Sequence, residues 1–242
     1  MKLKNLIFSL FVLSFSCGFI SCKKVEKPKA AQEREEWIAS FSDSIARYQH
    51  ESELASDSIA HIHKKIEDIL PSFSHVSNAR EVAGYYIASA WKDKLPLTST
   101  GLVARINEDE KLELIACLSK GVFNQIEATA GNSNVFSAKV PHDQALNYRT
   151  DNFNRVCFMG SAADSVAQFI FDNLDKKVTI TFLNGNKTGS YALPDSEHKL
   201  IAETWELYNL KRKAGMLEKE IAFNSRRIDT FRRMMESMDS VH

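Results

Sequence analysis

Two runs of apolar residues, one near each end of the chain, restrict the possible folds more than any other feature, because both advance in alternating steps of three and four. The first comprises Ile38, Phe41, Ile45, Tyr48, Ser52, Ala55, Ile59, Ile62, Ile66 and Ile69; the second comprises Leu207, Leu210, Ala214, Leu217, Ile221, Asn224, Ile228, Phe231, Met235 and Met238. This is heptad spacing, which puts one apolar stripe on a helix and asks for another stripe to cover it. Pro28 opens the first run and Pro71 closes it, so the spacing predicts a helix over 28–70. Pro194 precedes Asp195-Ser196-Glu197, an N-cap and acidic first turn that predict a second helix over 195–242.

Each run interrupts its apolar pattern once near the middle, with Ser52 in one and Asn224 in the other. Folding the helices antiparallel, with paired positions summing to 276, sets Ser52 against Asn224, Ile45 against Phe231 and Ile69 against Leu207. A polar pair in a single layer can hold such a register at some cost in stability. The acidic half of the first helix, from Glu33 to Glu53, then faces Arg226, Arg227, Arg232 and Arg233, while Lys64 and Lys65 lie unfavourably near Lys211, Arg212 and Lys213. An intramolecular pair is favoured over a homodimeric coiled coil because the two runs match in length and flank one central segment. Monomer and homodimer both stay open.

Between these helices, over residues 71–194, the apolar period changes from 3.6 to 2. Segments 101–106, 111–118, 122–129 and 134–140 are separated by short polar turns and read as an antiparallel meander of four strands. Segment 141–154 is a long polar connection. Residues 155–159 form a short strand, 162–174 a helix preceded by a capping-box-like Ser161-x-x-Asp164, and 177–183 and 190–193 a final hairpin. Residues 79–92 combine a helix-start pattern at Asn78-x-x-Glu81 with strand chemistry at Gly84-Tyr85-Tyr86-Ile87, and are assigned to a strand. The expected fold class is α+β: an antiparallel coiled-coil stalk carrying a mainly antiparallel sheet with one packed helix.

The first residues carry an address. Lys2 and Lys4 precede an apolar run, Leu6 to Ile20, that is short for a bilayer span and ends at Ser21-Cys22. Residues 1–21 read as a cleaved signal peptide and 22–27 as a charged tether; Ser16-Cys17 is a rival cleavage point that would leave an apolar stub. Phe19-Ile20-Ser21-Cys22 resembles the lipobox of bacterial lipoproteins of the Bacteroidota type. The resemblance implies acylation of Cys22 and a membrane anchor through lipid. Without an acidic run after the cysteine, it further implies an outer-membrane protein facing the periplasm. Cys117 and Cys157 then remain; each sits among apolar neighbours in a strand, and small buried residues are favoured over a disulfide.

Chemistry-bearing patterns are sparse. The balance of 31 basic and 31 acidic residues gives no field for nucleic acid. His61-x-His63 points two imidazoles to different helix faces, which leaves no expected metal site. Ser161 lacks the flanks of a nucleophile turn, and Asn184-Gly185-Asn186-Lys187 is a hairpin turn rather than a phosphate loop, so neither a catalytic residue nor a cofactor is expected. Long polar loops on a rigid sheet are where binding residues concentrate, which singles out Tyr148, Arg149 and Asp151. The leading expectation is a non-enzymatic envelope lipoprotein whose head binds a protein or envelope component. A glycan or small-ligand binder using the 141–154 loop is the alternative, and an enzyme with a site built from distant residues comes third.

Overall fold

The computed structural model describes residues 29–77 and 84–239. The signal peptide, the tether with Cys22, and the Asn78-x-x-Glu81 pattern lie outside the described residues. Among the described residues the chain is α+β, with three α-helices and two antiparallel sheets. Helix α1 spans Lys29–Ile69, α2 Ser161–Asp172 and α3 Asp195–Asp239. One sheet has six strands, in the order β1 (Phe73–Val76), β2 (Tyr85–Ala88), β3 (Gly101–Asn107), β4 (Leu112–Leu118), β8 (Asn154–Met159) and β7 (Asn147–Arg149). The other has four, in the order β10 (Asn186–Ala192), β9 (Val178–Asn184), β5 (Gln125–Ala130) and β6 (Ser133–Phe136).

The expected four-strand meander is therefore divided between two sheets. β3 and β4 pair as a hairpin, but β4 then takes β8 as its other neighbour, and β5 pairs with β6 and β9 in the second sheet. The break follows from Gly121, whose φ of 113° is open to glycine and strained for other residues. There the chain leaves β4, and a Cβ on Gly121 would come within 3.2 Å of the Leu118 side chain. Alternation alone cannot detect this, because strands of both sheets face one common core. That core includes Leu114, Phe158, Ile126, Phe182 and Ile170, all at zero exposure. α2 packs against β4 and β8 of one sheet, β5 and β6 of the other, and α3.

Ser161 is the first residue of α2, not its cap. Gly160 occupies the N-cap position without a side-chain bond, and the Ser161-x-x-Asp164 capping box does not form. Instead Asp164 turns towards α3, with Oδ2 3.5 Å from the Tyr208 hydroxyl and 3.7 Å from Arg212. The N-cap of α3 is likewise one residue earlier than expected: the Pro194 carbonyl accepts from the Glu197 and His198 amides.

α3 packs on α1, and the two have different relations to the head. The opening turns of α3 belong to the head core, with His198, Ile201, Trp205, Leu207 and Tyr208 buried. From Lys213 onward α3 is covered along one stripe: Ala214, Asn224 and Ile228 are buried, while Leu217, Ile221, Phe231, Met235 and Met238 are partly covered. α1 is covered in the same way at Tyr48, Ala55 and Ile62 and, in part, at the intervening heptad positions. Phe231 stacks between Phe41 and Tyr48, with ring centroids 5.3 and 6.2 Å away. The serines of α1 donate back to their own helix, as Ser44 does to Ser40 O and Ser56 to Ser52 O, so a serine-rich helix leaves those hydroxyls bonded.

Candidate functional site

The 141–154 segment is built around two buried asparagines. Asn147 and Asn154 lie diagonally across the β7–β8 pair, with Asn154 Nδ2 donating to Asn147 Oδ1 at 2.8 Å. Asn147 Nδ2 donates to Val140 O at 3.0 Å, and Asn154 Oδ1 accepts from the Phe123 amide at 2.7 Å. Together they tie three stretches of backbone to the sheet edge, at exposures of 0 and 1%. Asp143 Oδ1 accepts from the Ala145 and Leu146 amides, and Thr150 Oγ1 accepts from the Asn152 and Phe153 amides. Much of the polarity that marks this loop in the sequence thus satisfies its own backbone.

The sequence-selected residues divide accordingly. Tyr148 is exposed at the sheet edge, with its ring 6.1 Å from that of Phe153. The Arg155 guanidinium lies over both rings, 5.6 Å from Tyr148 and 6.0 Å from Phe153. Arg149 and Asp151 are exposed on the same short turn and are not drawn into this stack. Tyr148 and Arg155 meet because they are direct partners in the β7–β8 register. Sequence reasoning missed Phe153 and Arg155. The signal was present in β8, where Arg155, Cys157 and Met159 alternate with buried Val156 and Phe158, but the pairing strand β7 is only three residues long.

A second polar cluster sits at the mouth of a cleft of about 270 Å³ formed by Leu97 to Val103 with Lys94 and Glu197. Glu197 Oε1 accepts from Lys94 Nζ at 3.1 Å, and its other oxygen accepts from the Tyr191 hydroxyl. Burial, reinforced by the neighbouring carboxylate, holds Tyr191 protonated far above its ordinary range. On the six-stranded sheet, Glu113 accepts from Arg105 at 2.5 Å and from Asn107 at 3.0 Å, with Arg105 stacked 4.2 Å above Tyr85. Burial raises the Asp164 carboxyl, an effect that Arg212 and then Tyr208 oppose. In these clusters each carboxylate already has a cation or hydroxyl partner within the chain, so the arrangement clamps neighbouring elements together. Among the described residues, no three His, Cys, Asp or Glu side chains are grouped closely enough to hold a metal ion. His61 and His63 are both exposed on α1.

On the paired helices, Ser52 is partly covered and donates to Tyr48 O at 2.8 Å, whereas Asn224 is 3% exposed and its Nδ2 has no hydrogen-bond partner. The basic cluster of α3 is dispersed in its contacts. Arg227 donates to the Tyr48 hydroxyl and stacks 4.4 Å over Phe223, while Arg232 approaches Asp229 of its own helix. The crowded lysines at the other end are relieved by the head, since Lys211 lies 3.4 Å from Glu110 of the β3–β4 turn and 5.0 Å over the Tyr86 ring. Cys117 carries a free thiol with zero exposure, and Cys157 is half-buried. No described helix is long and apolar enough to cross a membrane. No protein-family model, no curated protein and no solved structure matches this chain.

Proposed function

We propose that this protein is a non-enzymatic, lipid-anchored component of the cell envelope, in which α1 and the outer part of α3 form a coiled-coil stalk that presents the α+β head to a protein or envelope-component partner. The observation that carries this reading is the single covered stripe on each long helix beyond the head. Two helices that bury one seam and leave their other faces in water make a spacer rather than an enclosed core. Residues 213–239 extend the pair by about 40 Å at 1.5 Å per residue. The leader supports a lipid on Cys22 at the end remote from the head, with the protein on the outer membrane facing the periplasm.

Two measurements test the reading. Metabolic labelling with an alkyne fatty acid is expected to tag the wild-type chain and not Cys22→Ser, and loss of membrane association should accompany loss of label; equal labelling of both overturns the anchor. Ser52→Cys with Asn224→Cys, in a chain whose other cysteines are replaced, is expected to oxidise to a fast-migrating monomer. Disulfide-linked dimers alone would overturn the intramolecular stalk.

A second reading, a glycan or small-ligand binder, rests on the Tyr148–Phe153–Arg155 stack. An exposed aromatic face beside a guanidinium fits a sugar ring or a planar ligand carrying a carboxylate. Tyr148→Ala and Arg155→Ala are expected to abolish such binding in a glycan array while leaving the fold intact.

A further inference from the structure

One face of the six-stranded sheet carries a guanidinium that the fold holds in place without neutralising it. Arg155 is the register partner of Tyr148 on one side and of Cys117 on the other, so the three side chains stand in one row across β7, β8 and β4. Its guanidinium lies over the Tyr148 and Phe153 rings, 5.6 and 6.0 Å from their centroids. Such stacking uses the plane of the group and leaves the N–H donors at its rim for an acceptor. Arg105 of the same sheet is paired with Glu113, whereas Arg155 has no carboxylate within ion-pair distance among the described residues. The nearby acid Asp143 is occupied, accepting from the Ala145 and Leu146 amides. The charge of Arg155 is felt inside the head, where it opposes the effect of burial on the Cys117 thiol.

We infer that Tyr148, Phe153 and Arg155 form a subsite for an acidic sugar, a uronic acid unit of an extended polysaccharide, with the guanidinium on its carboxylate and the Tyr148 ring against its apolar face. The inference rests on the reading of this edge as a glycan site and adds the charge of the ligand. A guanidinium fork matches a carboxylate through two parallel N–H bonds. One already steadied by two rings gives up less freedom when it makes them. Tyr148 is 41% exposed, so its ring is open to a ligand. Along β8, Arg155, Cys157 and Met159 share this face, and Met159 is 37% exposed. From Arg155 to Met159 the face runs about 13 Å, more than one sugar ring, which suits a chain laid along the strand. A neutral sugar would leave the guanidinium donors facing water, and a carboxylate without a ring would leave Tyr148 uncovered.

The test uses the full chain purified in mild detergent and titrated calorimetrically with tetramers of galacturonate and mannuronate, against the neutral galactose and mannose tetramers. At low salt the acidic tetramers are expected to bind about tenfold or more tightly than the neutral ones, the gain of one charge-assisted contact. The preference is expected to shrink as salt is raised. Arg155→Gln is expected to lower the acidic tetramers to the affinity of the neutral ones, and Tyr148→Ala to weaken both, with circular dichroism unchanged. Equal affinities in the wild type, or a preference that survives Arg155→Gln, would overturn the acidic subsite while leaving the glycan reading in place. Failure of the wild type to bind any of the four tetramers would overturn the glycan reading together with the subsite.

Discussion

Asn154 shows how much of the sheet edge depends on one side chain. Its carboxamide serves the Phe123 amide, Asn147 and the Tyr148 carbonyl at once, with 1% of the residue exposed. Removing it strands a buried N–H and a buried carbonyl, each at the cost of an unmade hydrogen bond. Asn154→Ala is expected to destabilise the head by about 2–4 kcal/mol in urea denaturation, with the Tyr148–Arg155 stack loosened. Cys117 sets a pH limit. Burial pushes its thiol from 9.0 up to about 11, against a smaller opposing effect of Arg155. A raised pKa means the folded chain holds its proton more tightly than the unfolded chain. The stability associated with it is therefore complete below about pH 9 and is lost as the pH rises towards about 11, by up to about 2–3 kcal/mol. Denaturation midpoints should fall across that window in the wild type and fall less in Cys117→Ala.

At the scale of the element, the helix pair carries a buried flaw. Asn224 is enclosed in the seam with an unpartnered Nδ2, while the hydroxyl of Ser52 is bonded within its own helix. Replacing an unsatisfied buried amide by an apolar group of similar size removes a desolvation cost. Asn224→Leu is expected to raise stability by about 1–2 kcal/mol, read as an upward shift in the thermal midpoint. If the asparagine also holds alignment, the gain in stability comes with a less unique register. The heptad stripes of both helices could be read in advance because helix periodicity is local: residues three and four apart share a face whatever else the chain does. The Tyr148–Arg155 contact could not, since it depends on β7 and β8 being neighbours and on their exact register.

Across the whole molecule, α3 joins two environments without a break, passing from the head core at Trp205 to an arm covered along one seam beyond Lys213. Local stability follows how much of an element is covered, so amide exchange is expected to be slowest in β3 and β4, where Leu102, Ala104, Leu112 and Leu114 have zero exposure, and fastest toward Lys29 and Asp239. Hydrogen-exchange mass spectrometry that found the arm ends as protected as the central strands would contradict this gradient. The order of residues was enough to mark long helices at both ends and an α+β middle, because these rest on local period and turn chemistry. Folding alone decided that β3–β4 and β5–β6 part into different sheets, that Ser161 does not cap α2, and that Arg155 joins Tyr148 and Phe153. Each of these depends on which segments meet across long stretches of chain, and those meetings are set by packing around a shared core rather than by any pattern within one segment.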